Sequence, residues 1–128
     1  MPDWNTYKAE AKSRGALALE LYAVESTPVG SPEAVKESLP AHLAYQAKLE
    51  AAGKLALAGP MSDASGELMQ GTGLIIYRAE SLEEARQLAE DDPMHAAGAR
   101  TFSLRRWLVN EGSLQLSVGL STKAVTLS

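Results

Sequence analysis

The segment Pro40-Ala-His-Leu-Ala-Tyr-Gln-Ala-Lys-Leu-Glu-Ala-Ala-Gly-Lys-Leu-Ala-Leu-Ala-Gly-Pro60 changes its character partway along. From Ala41 to Ala52 it is mostly Ala, Leu, Gln, Lys and Glu, the residues that cost least in a helix, and Gly53 closes the run. Leu55 to Ala58 is then a short apolar strand shut by Gly59-Pro60. The helix starts upstream, where Ser31-Pro32-Glu33 reads as an N-cap followed by proline at the first helical position, and Pro40 can restart or bend it. On its wheel Leu39, Leu43 and Ala47 form an apolar stripe. His42, Gln46 and Leu49 fall along the edge of that stripe, so His42 is expected to be half sheltered.

Outward from this unit the pattern continues. Ala16 to Val24 alternates on Leu17, Leu19, Leu21 and Ala23, a strand with one buried face, and residues 1–14 before it read as a polar arm or short helix. A polar segment from Ser62 to Gly71 leads to a strand over Thr72–Arg78. This strand is apolar enough to be covered on both faces, and it runs into the capping box Ser81-Leu-Glu-Glu84. The second helix turns Leu82, Ala85, Leu88 and Ala89 inward. Thr101 to Val109 is a strand, and Asn110-Glu-Gly112 links it to an alternating stretch from Ser113 to Leu120, read as a closing hairpin strand. The order is that of a split βαβ plan with one extra C-terminal strand: an α+β, ferredoxin-like βαββαβ sandwich, taken as one domain over residues 15–128. One sheet face is left uncovered by helices although it carries apolar residues, which implies a partner.

Composition narrows the function classes. The chain has 128 residues, no cysteine and a net charge of −4. It is expected to be cytoplasmic, with no disulfides or thiolate chemistry, no membrane span and no nucleic-acid partner, since Arg100, Arg105 and Arg106 form only a small, interrupted basic cluster.

Two histidines exist, so a general base working near neutral pH is His42 or His95. Asp92 stands at the acidic C-terminal end of the second helix, where the macrodipole disfavours carboxylates. Two readings of it are open. It pairs with His42, fixing the tautomer and stabilising the imidazolium, or it caps the turn Pro93-Met-His-Ala-Ala that Gly98 ends. His95 in that turn is expected at the surface, as a second pocket residue, or without a functional role. Gly59, Pro60 and Met61 are expected to shape a cleft wall for a small-molecule ligand, because Gly-Pro exposes backbone without a bulky side chain. Gly71-Thr-Gly73 lacks the features of a phosphate loop and reads as a turn. The spacing of His42, Asp92 and His95 matches no recognised metal site, and no cofactor is expected.

Pro40-Ala-His42-Leu43, Gly53-Lys-Leu-Ala-Leu-Ala-Gly59-Pro60, Glu80-Ser-Leu-Glu-Glu-Ala85 and Asp91-Asp92-Pro93-Met-His95-Ala-Ala-Gly98 resemble, in order and spacing, the signature of the YciI-like (YCII) family over roughly Leu17 to Val109. The resemblance implies a dimeric α+β barrel built from two such sheets, hence a homodimer, and an active site at His42 and Asp92. It points to a small enzyme of proton-transfer type, isomerase or lyase-like, working without a cofactor. The alternative is a non-catalytic dimeric module that binds a ligand or partner and keeps the two residues as a buried polar pair. The two separate on whether the imidazole opens into a cavity and responds to a ligand.

Overall fold

The computed structural model describes residues 1–128. In chain order the elements are α1 (Trp4–Ser13), β1 (Leu19–Pro28), α2 (Pro32–Ala51), β2 (Leu55–Pro60), β3 (Gly73–Tyr77), α3 (Leu82–Glu90), α4 (Pro93–Ala96), β4 (Arg100–Val109), β5 (Leu116–Val118) and β6 (Val125–Leu127). They fall into two compact units, Glu20–Trp107 and the combination of Met1–Leu19 with Leu108–Ser128.

The larger unit is α+β and ferredoxin-like. Its sheet has the order β2-β3-β1-β4, and β3 runs antiparallel to both β1 and β2. Register places Tyr22 opposite Tyr77 and Val24 opposite Ile75, and these four side chains form the floor of the core. Leu49 of α2 and Ala85, Leu88 and Ala89 of α3 close over them, each fully buried large aliphatic side chain contributing about 1.5–3 kcal/mol. The inward positions of α3 are those its periodicity gives. Its N-terminus is capped as the Ser81/Glu84 motif requires, with one shift: Ser81 Oγ accepts from Glu84 N–H, whereas the Glu84 carboxylate accepts from the N–H of Glu80, outside the cap residue. In β2 the register slips between Leu55 and Leu57, a bulge that sends Leu55 toward the core and leaves Leu57 exposed on the opposite face.

Three expectations are corrected here. The first strand begins at Leu19, because Ala18 takes a left-handed φ of 51° that breaks extension. Its helix-covered face is the even one, Tyr22, Val24 and Ser26, while Leu17 and Leu19 are exposed. On α2 the stripe is also displaced: Leu39 and Leu43 are 42% and 53% exposed, and the buried line runs through Leu49. Tyr45, three residues after His42 and four before Leu49, packs on that core, so the inward face of α2 is His42, Tyr45, Gln46 and Leu49. Finally, the stretch after Gly112 adds no strand to the four-stranded sheet. Its strand is only Leu116–Val118, and it pairs with β6 in a separate two-stranded ribbon, Leu116 opposite Leu127 and Val118 opposite Val125.

In the smaller unit, α1 begins on Asp3, whose side chain accepts from Thr6 N–H and Thr6 Oγ1. Its buried residue is Ala11, and the Leu17 N–H donates to the Asn110 carbonyl. No helix is long and apolar enough to cross a membrane.

Candidate functional site

A side-chain hydrogen bond ties α2 to the end of α3. Tyr45 donates from its hydroxyl to the Leu88 carbonyl at 2.6 Å. Burial first, and then the charges of Asp91 and Asp92, push the Tyr45 phenol up to about 12, so it stays a donor. His42 lies one turn earlier on the same face of α2 and therefore arrives at the junction of α3 and α4.

Asp92 forms that junction, and both readings of it from the sequence describe part of its geometry. Its backbone is extended, Pro93 follows at the first helical position, and Oδ1 accepts from Met94 N–H at 3.0 Å, which makes it the N-cap of α4. The same carboxylate, 0% exposed, receives His42 Nδ1 at 2.9 Å (Oδ1) and 2.8 Å (Oδ2). Since a carboxylate only accepts, Nδ1 carries the hydrogen, and the unprotonated nitrogen of the neutral ring is Nε2. The His42 side chain is 15% exposed, and the ring lines a cavity of about 770 Å³, within the range of small-molecule sites.

The cavity runs between α2, β2 and the turn before β3. Leu39 and Leu43, the exposed stripe of α2, form one apolar wall with Val35. Gly59 and Pro60 are part of the lining. Met61 is not: its N–H continues the strand pairing to the Thr72 carbonyl at 2.9 Å, and its side chain lies outside the lining. Arg100, Ser26, Gln46 and Met94 line it as well, and none of these was singled out from the sequence as a site residue. A signal for two of them existed. Ser26 follows Tyr22 and Val24 on the inward face of its strand, and Arg100 opens its strand directly after the Gly98 turn.

His95 is neither on the surface nor in the lining. It is half-buried, its ring tilted against Phe102 with centroids 4.8 Å apart. Nδ1 donates to the Ala89 carbonyl at 2.7 Å and Nε2 meets Ser26 Oγ at 2.7 Å. Burial is the main cause that holds its pKa below the ordinary histidine value, so the ring is neutral and Nε2 accepts from the serine hydroxyl. Ser26 Oγ in turn accepts from Arg100 Nε at 2.8 Å. His95 therefore acts from behind the cavity wall, fixing the serine that fixes the arginine. No three His, Asp or Glu side chains come together in a way that could hold a metal ion.

Three similarities bear on this site. The model of the YCII-related domain matches residues 16–108. An uncharacterized protein, YjpA of Bacillus subtilis (strain 168), is 32% identical over 72 residues, covering 56% of this chain and 78% of the relative. Among solved structures, 5-chloro-2-hydroxyhydroquinone dehydrochlorinase (TftG) from Burkholderia phenoliruptrix AC1100, in complex with 2,5-dihydroxybenzoquinone, is similar with a TM-score of 0.58 and 28% identity. That match covers 68% of this chain and 92% of the other.

Proposed function

Because this chain belongs to the YCII-related family, we propose that it is a small-molecule enzyme of proton-transfer type, isomerase or lyase-like, in which His42 is the general base and acid and Asp92 its orienting partner. The observation that carries this reading is one histidine with two unlike sides. Nδ1 is tied to a fully buried carboxylate, and the ring borders a largely apolar cavity of about 770 Å³. In the reaction Nε2 takes a proton from an acidic C–H or O–H of the substrate, and the bonding pair stays on the substrate. The imidazolium, stabilised by Asp92, then returns the proton to a different atom or to a departing group. Met94 N–H on the same carboxylate keeps Asp92 from rotating as the charge on His42 changes. The similarity to a dehydrochlorinase supports a lyase-like variant of this chemistry on a cyclic substrate.

We also propose that a second copy of the chain covers the outer face of the sheet, where Leu57 and Trp107 are 61% and 42% exposed. Light scattering coupled to size exclusion reads this directly: a dimer mass is expected, and a strict monomer contradicts it. The enzymatic reading is tested with a panel of hydroxyquinones and lactones, followed by NMR for solvent-deuterium incorporation. Substrate deuteration in the native protein, reduced at least about 100-fold by His42→Gln, is expected. Equal incorporation in both proteins would sink the assignment of His42.

A further inference from the structure

Arg100 is the one permanently charged side chain lining the cavity, and no aspartate or glutamate lines it. Its guanidinium is fixed by neutral acceptors alone. Nε donates to Ser26 Oγ at 2.8 Å, and Nη2 donates to the Ser26 carbonyl at 2.7 Å and to the Gly71 carbonyl. That last contact needs the turn that Gly71 makes with a φ of 95°, where a Cβ would approach Pro28 Cγ to 3.0 Å. The ion pairs of the larger unit are His42–Asp92, Lys54–Glu84 and Arg106–Glu20, and none of them engages Arg100. Nη1 has no protein acceptor.

A partly buried guanidinium held rigid at the edge of the cavity, with no carboxylate in contact and the Asp92 charge acting on it only at a distance, is suited to pair with an oxyanion from outside the protein. A second polar group lines the same space. Gln46, one turn beyond His42 on α2, has a buried Oε1 with no hydrogen-bond partner, an acceptor suited to a hydroxyl. Ser31, His42 and Gln70 add further polar side chains to the lining, while Leu39, Leu43 and Ile75 offer apolar contact.

We infer that the cavity takes a compact, largely apolar molecule bearing an anionic oxygen and a hydroxyl, the anionic oxygen paired with Arg100 and the hydroxyl with Gln46. This rests on the proton-transfer reading of His42 and names the substrate class of that site. It makes Arg100 the residue that selects acids over their neutral analogues, with Ser26 and His95 as the positioning residues behind it.

The test is calorimetric titration of the full chain with 2,5-dihydroxybenzoquinone, a vinylogous acid, and with its neutral dimethyl ether. Benzoate against methyl benzoate forms a second arm, which tells a ring enolate from a carboxylate. In the unaltered protein at least one acid binds tenfold or more tighter than its neutral analogue. In Arg100→Met that preference falls below threefold, whereas in His42→Gln it persists. Should Arg100→Met fail to fold, the guanidinium resonances of Arg100 in the unaltered protein decide: they shift with the acid and stay still with the ether. A preference for neutral analogues, an acid preference that survives Arg100→Met, or bound acid that leaves the guanidinium unmoved overturns the inference. Failure of the proton-transfer reading is seen separately, as deuterium incorporation that is indifferent to His42→Gln while the Arg100 arm behaves as described.

Discussion

His42 bonds to the segment between Ala89 and Ala96 and His95 lies within it, yet their surroundings occupy the two rings differently. His42 presents Nδ1 to a fully buried carboxylate and its ring to the cavity. His95 spends both nitrogens on the protein, one on a backbone carbonyl and one on a serine. A histidine is made available for proton transfer by what holds its first nitrogen and by what is absent from its second; partial burial alone makes no such distinction. The cost of the arrangement also differs. The His42 corner buries a carboxylate, which persists only because Nδ1–H and Met94 N–H satisfy it, whereas the His95 corner buries only neutral groups and the edge of one guanidinium.

Substitutions that separate the two corners are expected to rank accordingly. Asp92→Ala removes the partner of His42 and the cap of α4 together, and is expected to destabilise the protein by about 3–5 kcal/mol in urea denaturation. Ser26→Ala strikes the other corner. It leaves Arg100 Nε and His95 Nε2 without their shared partner, a loss of about 1–3 kcal/mol, and amide exchange in the turn at Gly71 should quicken. If Ser26→Ala costs more than Asp92→Ala, the contrast drawn above is reversed. Tyr45→Phe deletes the bond from α2 to the Leu88 carbonyl at a cost of about 0.5–1.5 kcal/mol, and the His42 ring signals should broaden as its helix loosens.

The smallest effect belongs to His95 and to pH. Burial holds its pKa below the ordinary value of 6.5, so the folded chain takes up its proton less readily than the unfolded one. Its contribution to stability is complete above 6.5 and declines as pH falls through the depressed value. In His95→Gln that part of the acid limb should flatten, which a series of denaturation curves between neutral and mildly acidic pH would reveal. An unchanged slope would mean that His95 titrates as it does in the unfolded chain.

Much of this was legible in the chain, for physical reasons that can be named. The element order was readable because the breaks are strong: Gly53, Gly59-Pro60, Ser81 and Pro93 each punctuate at a distinct position. The pairing partners His42 and Asp92 came from motif order, and their contact is a matter of tertiary geometry that no local pattern encodes. The phase of two amphipathic elements was misread for a shared reason. On α2 the inward line is His42, Tyr45, Gln46 and Leu49, and on β1 it is Tyr22, Val24 and Ser26. Both carry polar side chains, of which His42, Tyr45 and Ser26 bond to distant residues, while the leucines at Leu39 and Leu43 serve the cavity wall. A pattern search that follows aliphatic residues finds the wall and misses the core. The alternation at Leu114, Leu116, Val118 and Leu120 misled in another way, since a ribbon of two short strands has the same period as an added sheet strand. Arg100 escaped because its place at the start of a strand does not reveal that no carboxylate contacts it, which depends on its three-dimensional neighbours.

The most direct test of the account is long-range ¹⁵N–¹H NMR of the two imidazoles, with and without 2,5-dihydroxybenzoquinone. The account predicts both rings as Nδ1–H tautomers, with the Nε2 of His42 responding to ligand and the Nε2 of His95 unchanged. A His42 ring protonated on Nε2, or silent to ligand while His95 moves, would contradict it.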